Sequence, residues 1–178
     1  MSVGRANLGE EPVADIESAL TASRAAADQL IATAVSSGRG WDAPCAPGKW
    51  SPSQIVEHVT RSYEASVNVA SGQPSAFPRI PTVAHPLLRI VFRRILRRGV
   101  FPKGRTTKAM NPAAGAATPA AGRTRLMAAH ERFEAACRTV AARRTPMNTP
   151  MFGAVAVEDF VRFMELHTHH HARQIVQA

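Results

Sequence analysis

Near the C-terminus, the stretch Phe163-Met164-Glu165-Leu166-His167-Thr168-His169-His170-His171-Ala172-Arg173-Gln174-Ile175 constrains the chain more than any other. Four of the seven histidines fall within five residues of it. Residues four apart on a helix lie one above the other on one face, and His167 and His171 have that spacing. Phe160, Phe163, Met164, His167, His171, Gln174 and Ile175 follow the period of a helical stripe that packs into a core. The pair is therefore expected to point inward, with His169 exposed on the opposite side and His170 on the flank. Two imidazoles so placed suit one shared metal ion. The competing reading has each histidine satisfied by ordinary hydrogen bonds, and it needs two separate partners in apolar surroundings. Thr168 interrupts the run, which continues a helical pattern rather than forming a purification tag.

The remaining helices are read from period and punctuation. Residues 13–36 are Ala-rich and free of Gly and Pro, and Ile16, Leu20, Ala27, Leu30, Ile31 and Ala34 keep near-helical spacing. Gly38 and Gly40 end that helix, and a Pro-containing connection follows over 41–49. The next start is the best marked in the chain. Ser51 is an N-cap, Pro52 fits the first helical position, and Gln54 completes a capping box. This helix is expected over 51–71, with Ile55, His58, Val59, Ser62 and Val67 inward and Trp50 packed as core on the bundle end. A third helix over 123–143 carries Leu126, His130, Phe133, Cys137 and Val140 on its core face, so His130 is expected to be buried. Residues 145–155 read as a turn, with Pro146, Pro150 and Gly153, and the histidine helix spans 157–177. No stretch shows a strand's alternation.

Between the second and third helices, residues 73–122 are too long for a simple bundle connection. One short helix is expected there, over 86–98. Its apolar stripe is Leu88, Val91, Phe92 and Ile95, and its basic one is Arg89, Arg93 and Arg97. Residues 99–122, rich in Pro, Gly, Ala and Thr, read as extended loop. The apolar stripe is expected to pack on the bundle, or on a second subunit in a homodimer, with the arginines outside. Peripheral contact with anionic lipid, or docking to another partner, is the alternative.

At 178 residues the chain fits one domain over 13–178 after a loose lead-in, 1–12, and needs no staples to hold its core. Cys45 and Cys137 are far apart, which excludes a disulfide framework or a Cys-based zinc site and fits a reducing compartment. The lead-in has no apolar signal core and no run reaches membrane-spanning length, so a cytoplasmic location is expected. The chain has 22 Lys and Arg against 13 Asp and Glu, a net charge of +9 that favours anions in general. With only 6% aromatic residues and no recognisable binding motif, a nucleic-acid partner is not expected.

Two segments together resemble a known family. Gly48-Lys49-Trp50-Ser51-Pro52-Ser53-Gln54-Ile55-Val56-Glu57-His58-Val59 is similar to the tryptophan, cap and histidine signature that opens the second helix of DinB-like proteins. These are small four-helix metalloenzymes, and they include mycothiol- and bacillithiol-dependent S-transferases. Met151-Phe152-Gly153, Glu158-Asp159-Phe160 and the histidine stretch resemble the family's last helix, with its paired histidines and Gln-Ile ending. Residues 73–122 carry no family signature. The resemblance implies an all-α four-helix bundle with a long crossover between helices two and three that carries an extra short helix. It also implies a metal held by His58, His167 and His171.

Three neutral imidazoles suit Zn(II), Ni(II) or Fe(II), and three protein ligands leave a position open for chemistry. Gln54 and Gln174, each one turn from a ligand histidine, are candidates to orient the ligands, and ordinary capping and packing are their alternative roles. The resemblance implies transfer of a low-molecular-weight thiol to a small-molecule electrophile, with the thiol activated at the metal. Two alternatives stand beside it. One is a hydrolase or isomerase that uses a metal-activated water, for which Glu57 and Glu165 lie off the inward stripes. The other is a metal-binding or interaction module without turnover.

Overall fold

The computed structural model describes residues 16–38, 40–102 and 106–176. The lead-in, the expected first residues 13–15 of the first helix and residue 177 of the last lie outside them. Four long helices form a bundle: α1 (Ile16–Ser36), α2 (Pro52–Ala70), α4 (Pro119–Ala142) and α5 (Val157–Val176). A shorter α3 (His85–Arg98) lies in the crossover between α2 and α4. In the bundle α1 packs chiefly on α5, and α2 on α4, while α3 leans on α5. Among the described residues no helix is long and apolar enough to cross a membrane.

Most residues of the expected stripes are buried, while Ile16, Val67 and His167 are half-buried and Gln174, expected inward, is exposed at the end of its stripe. Leu20, Leu30, Val59, Leu126, Phe133, Cys137, Phe160 and Ile175 form the centre of the core. Burial also pushes the Cys137 thiol up, away from the reactive thiolate. α2 begins as its sequence dictates. Gln54 N donates to Ser51 Oγ at 3.3 Å, and Ser51 N donates to Gln54 Oε1 at 3.0 Å. Such a cap contributes about 1 kcal/mol.

Two expectations need correction. α4 starts at Pro119, not near 123, because Thr118 is an N-cap whose Oγ1 accepts from Ala121 N at 3.2 Å, with Pro119 at the first helical position. Gly122 reads as loop, yet it sits inside the helix, where a Cβ would come within 2.8 Å of the Trp41 ring. The stretch read as a turn over 145–155 forms an antiparallel hairpin, β1 (Met147–Thr149) and β2 (Gly153–Val155). Strands of three residues are too short to display alternation. Gly153, where the turn enters β2, takes a left-handed φ of 69°, and Thr149 Oγ1 donates to its carbonyl at 3.1 Å.

α3 keeps its expected limits within a residue. Phe92 and Ile95 are buried and Leu88 and Val91 half-buried, with Phe92 set against Phe152 and Phe163 at ring distances of 4.8 and 5.4 Å. Gly99, left-handed at φ 62°, caps the helix.

The return path of the crossover is clamped to the start of α2. Gln54 Nε2 donates to the carbonyls of Pro112 and Ala113 at 3.4 and 3.2 Å. Trp41 Nε1 donates to the Ala116 carbonyl at 2.6 Å. Gly115 lies directly on α2, where a Cβ would be 2.3 Å from the Ser53 carbonyl oxygen. Neither backbone can yield there, so Gly115→Ala is expected to lower stability by about 1–3 kcal/mol in urea unfolding, the usual cost of overpacking.

A buried polar chain ties α1, α2, α4 and α5 together. His130 Nε2 lies 3.0 Å from Ser23 Oγ, which is 3.2 Å from Tyr63 Oη, itself 3.0 Å from Thr168 Oγ1. Burial pushes the Tyr63 hydroxyl up to about 12. His130 has no exposed surface, as expected, and burial, aided by the nearby Arg24 charge, lowers its pKa to about 4. An unfolded histidine titrates near pH 6.5. Between these values the unfolded chain takes a proton that the native chain refuses. Stability contributed by neutral His130 is therefore full above about pH 6.5 and is lost as pH falls toward 4, on the order of 3 kcal/mol in all. Denaturant unfolding of the metal-free protein across this range is expected to show the loss, and His130→Gln to lack that part of it.

Candidate metal centre

His58 enters from the second turn of α2 and His167 and His171 from successive turns of α5. The capping box fixes where α2 starts, and Ile55 and Val59, 2% and 0% exposed, turn His58 inward with them. The three rings meet. Centroid distances are 5.4 Å for His58–His167, 4.6 Å for His58–His171 and 4.5 Å for His167–His171. One ring nitrogen from each lies within 4.8 Å of the other two, a spacing that allows one metal ion to be shared.

Hydrogen bonds set the tautomers. His58 Nδ1 is 2.8 Å from the Met110 carbonyl, so Nδ1–H donates and Nε2 keeps its lone pair. His171 Nδ1 is 2.8 Å from Gln174 Oε1, which again leaves Nε2 as a lone pair. Gln174 Nε2 in turn donates to His170 Nε2 at 3.1 Å. The Nε2 atoms of His167 and His171 are 3.1 Å apart. Two nitrogens on one zinc ion at about 2.0–2.1 Å, at near-tetrahedral or near-right angles, stand about 2.9–3.4 Å apart. Among the described residues His167 Nδ1 is buried with no hydrogen-bond partner, and the ring's polar contact lies on the side where the imidazoles meet. The residues thus fit a divalent ion.

Electrostatics agree with the geometry. Burial holds all three histidines below the usual imidazole range, His171 to about 3 and His167 well below it, with the neighbouring imidazoles adding to the effect. Neutral imidazole is the ligating form. Aromatic rings enclose the group. Trp50 lies 4.9 Å from His58 and 6.3 Å from His171, and Phe101 lies 5.6 Å from His167.

Other candidates fall elsewhere. Gln174 reaches a ligand, whereas Gln54 holds the crossover instead. His170 is the flanking group, half-buried with its ring 5.2 Å from Phe101. His169 is not fully exposed, as its helical position led us to expect, but half-buried, with Nε2 3.7 Å from Glu165 Oε1. Glu57 and Glu165 are buried although they lie off the stripes, since arginines cover them. Arg61 and Arg125 hold Glu57 at 2.9 and 2.8 Å, and Arg162 holds Glu165 at 2.5 Å. Trp50, read as bundle-end core, is a wall of the site. Its place beside Ser51 and His58 in sequence was the signal for that role. The Met110 carbonyl and Phe101 had no sequence signal, because both come from the loop part of the crossover. A cleft of about 390 Å³ lined by Gly72, Arg79, His85 and Asn148 lies at the far end of α2 and touches none of the three histidines.

One solved structure has the same fold, described as "YfiT from Bacillus subtilis is a probable metal-dependent hydrolase with an unusual four-helix bundle topology". It is 17% identical, with a TM-score of 0.53 over 99% of this chain and 90% of that one. No curated protein matches the sequence. A sequence profile for the family described as "Protein of unknown function (DUF1569)" matches residues 18–178, and the chain belongs to that family.

Proposed function

We propose that the protein is a metal-dependent enzyme whose divalent ion is held by His58, His167 and His171. The observation that carries this reading is the convergence of three imidazole nitrogens within 4.8 Å of one another. Such an ion supplies a Lewis-acidic open position that makes a thiol or water brought to it more acidic. Zn(II), Ni(II) and Fe(II) all suit three imidazoles.

The chain's own residues do the rest. The Met110 carbonyl and Gln174 Oε1 hold the His58 and His171 rings in the tautomer that turns Nε2 inward. Trp50 and Phe101 keep bulk water from the faces of the rings. Among the described residues, no carboxylate joins the three histidines within ligand spacing. A reaction that needs only a deprotonated nucleophile fits this composition best. Transfer of a low-molecular-weight thiol is one: the S–H proton is released to solvent, sulfur bonds to an electrophilic carbon, and the leaving group departs. This is the DinB-like S-transferase reading. The second reading, hydrolysis by an activated water, is favoured by the description of the YfiT structure.

The two separate in one experiment on metal-loaded protein. Matched loss of thiol and electrophile, with no electrophile consumed when thiol is omitted, supports transfer. Turnover of esters or amides without thiol supports hydrolysis. Neither activity with any of the three metals contradicts the enzyme reading.

A further inference from the structure

Charge is distributed very unevenly along this chain. Residues 73–122 hold nine of the 22 Lys and Arg and none of the 13 Asp and Glu. The remaining 13 basic residues equal the acidic ones in number, so the entire net charge of +9 resides on the crossover. Five of the nine are arginines of α3: Arg89, Arg93, Arg94, Arg97 and Arg98. None has an acidic partner among the described residues. Most arginines of the bundle helices behave differently: Arg24, Arg61, Arg123, Arg125, Arg132, Arg138 and Arg162 pair with Asp or Glu.

The same segment leaves apolar side chains uncovered. α3 turns Phe92 and Ile95 into the bundle, but Leu87 and Ile90 stand 66% and 62% exposed. Val83, just before the helix, is 87% exposed, and Val100, just after it, 66%. Leu87, Ile90, Arg94 and Arg97 follow one another at three- and four-residue steps, so they share the outer face. The helix is thus amphipathic inward and carries a second, mixed apolar and cationic face outward.

We propose that this outer face docks, lying in the plane of the interface, on an anionic membrane surface. Charge complementarity selects the occupant. A helix with unpaired arginines flanking exposed Leu, Ile and Val matches an interfacial helix, with the aliphatic side chains among the acyl chains and the guanidinium groups among lipid phosphates. A second copy of this chain is disfavoured, because a symmetric contact would set two such cationic faces against each other. Nucleic acid would use the arginines and leave the aliphatic residues unsatisfied. The docked face continues into the candidate metal centre: Gly99 accepts from Arg173 at 3.1 Å, and Phe101 lies against His167 and His170.

Co-sedimentation of the full chain with phosphatidylcholine vesicles, with and without phosphatidylglycerol, tests this. The chain is expected to bind only the anionic vesicles and to be released at about 1 M salt, where screening reaches ~3 Å. Each arginine near an anionic surface strengthens partition roughly fivefold, so R94Q/R97Q is expected to weaken binding by more than about tenfold. L87S/I90S is expected to weaken it by about tenfold or more with the net charge unchanged. All four side chains are exposed, so the helical signal and melting temperature should hold in both variants. Absence of binding to anionic vesicles overturns the proposal. So does L87S/I90S binding like the parent, which would reduce the face to a diffuse cationic patch. Retention on duplex DNA in preference to vesicles, unaffected by L87S/I90S, overturns it in favour of a nucleic-acid surface.

Discussion

Replacing His171 with alanine is expected to lower affinity for a divalent ion far more than replacing a residue that only orients a ligand, and to leave the helical signal intact. His171 is the hub of the group: its Nε2 is 3.1 Å from His167 Nε2, its ring centroid is 4.6 Å from that of His58, and its Nδ1 is tied to Gln174. Loss of a residue that only orients a ligand costs roughly 10–100-fold in metal affinity. Gln174→Ala should fall in that range, and His171→Ala well beyond it. His169→Ala, away from the group beside Glu165, should bind as the parent does. Alanine is the best helix former, so α5 loses no propensity in any of the three. Calorimetric titration with Zn(II), beside far-ultraviolet circular dichroism, reads both quantities. Equal affinities for parent and His171→Ala would break the assignment.

The largest effect on stability is expected at Phe133. Its side chain is 0% exposed and joins α4 to α2 and α5, with ring contacts to Tyr63 at 5.2 Å and Phe160 at 6.4 Å. Phe133→Ala removes a ring from a close-packed centre that cannot collapse to fill it. The cost is about 3–5 kcal/mol, a large share of the roughly 5–15 kcal/mol that holds a domain together. The urea midpoint should fall with little change in slope, since the same surface is exposed on unfolding. A loss below about 1 kcal/mol would show that α4 is not packed as described.

Much of this was legible in the sequence because the bundle obeys local rules. The Ser51, Pro52 and Gln54 box fixes the phase of α2, and phase alone turns His58 inward. The four-residue spacing on an apolar stripe does the same for His167 and His171. That the two faces meet was not legible from spacing; it came from resemblance to a family, and it depends on long-range packing. α4 starts ahead of its expected place because Gly122 has the look of a breaker, whereas its missing Cβ makes room for Trp41. The hairpin was hidden by the shortness of its strands. Met110 reaches the site beside residues 112–116, which Gln54, Trp41 and the bare backbone of Gly115 hold against the start of α2, and Phe101 reaches it from the end of α3, with its ring 5.3 Å from that of Phe163. No local pattern encodes such contacts. Burial of Glu57 and Glu165 likewise follows from where arginines fold over them, not from helical phase.

The central claim, that three histidines from two helices share one ion, is tested most directly by X-ray absorption on untagged, metal-loaded protein of measured metal content. The account predicts about one ion per chain and a first shell of about three imidazole nitrogens, near 2.0–2.1 Å if the ion is zinc. A metal content near zero after loading, or a first shell with fewer than two imidazoles, would contradict it.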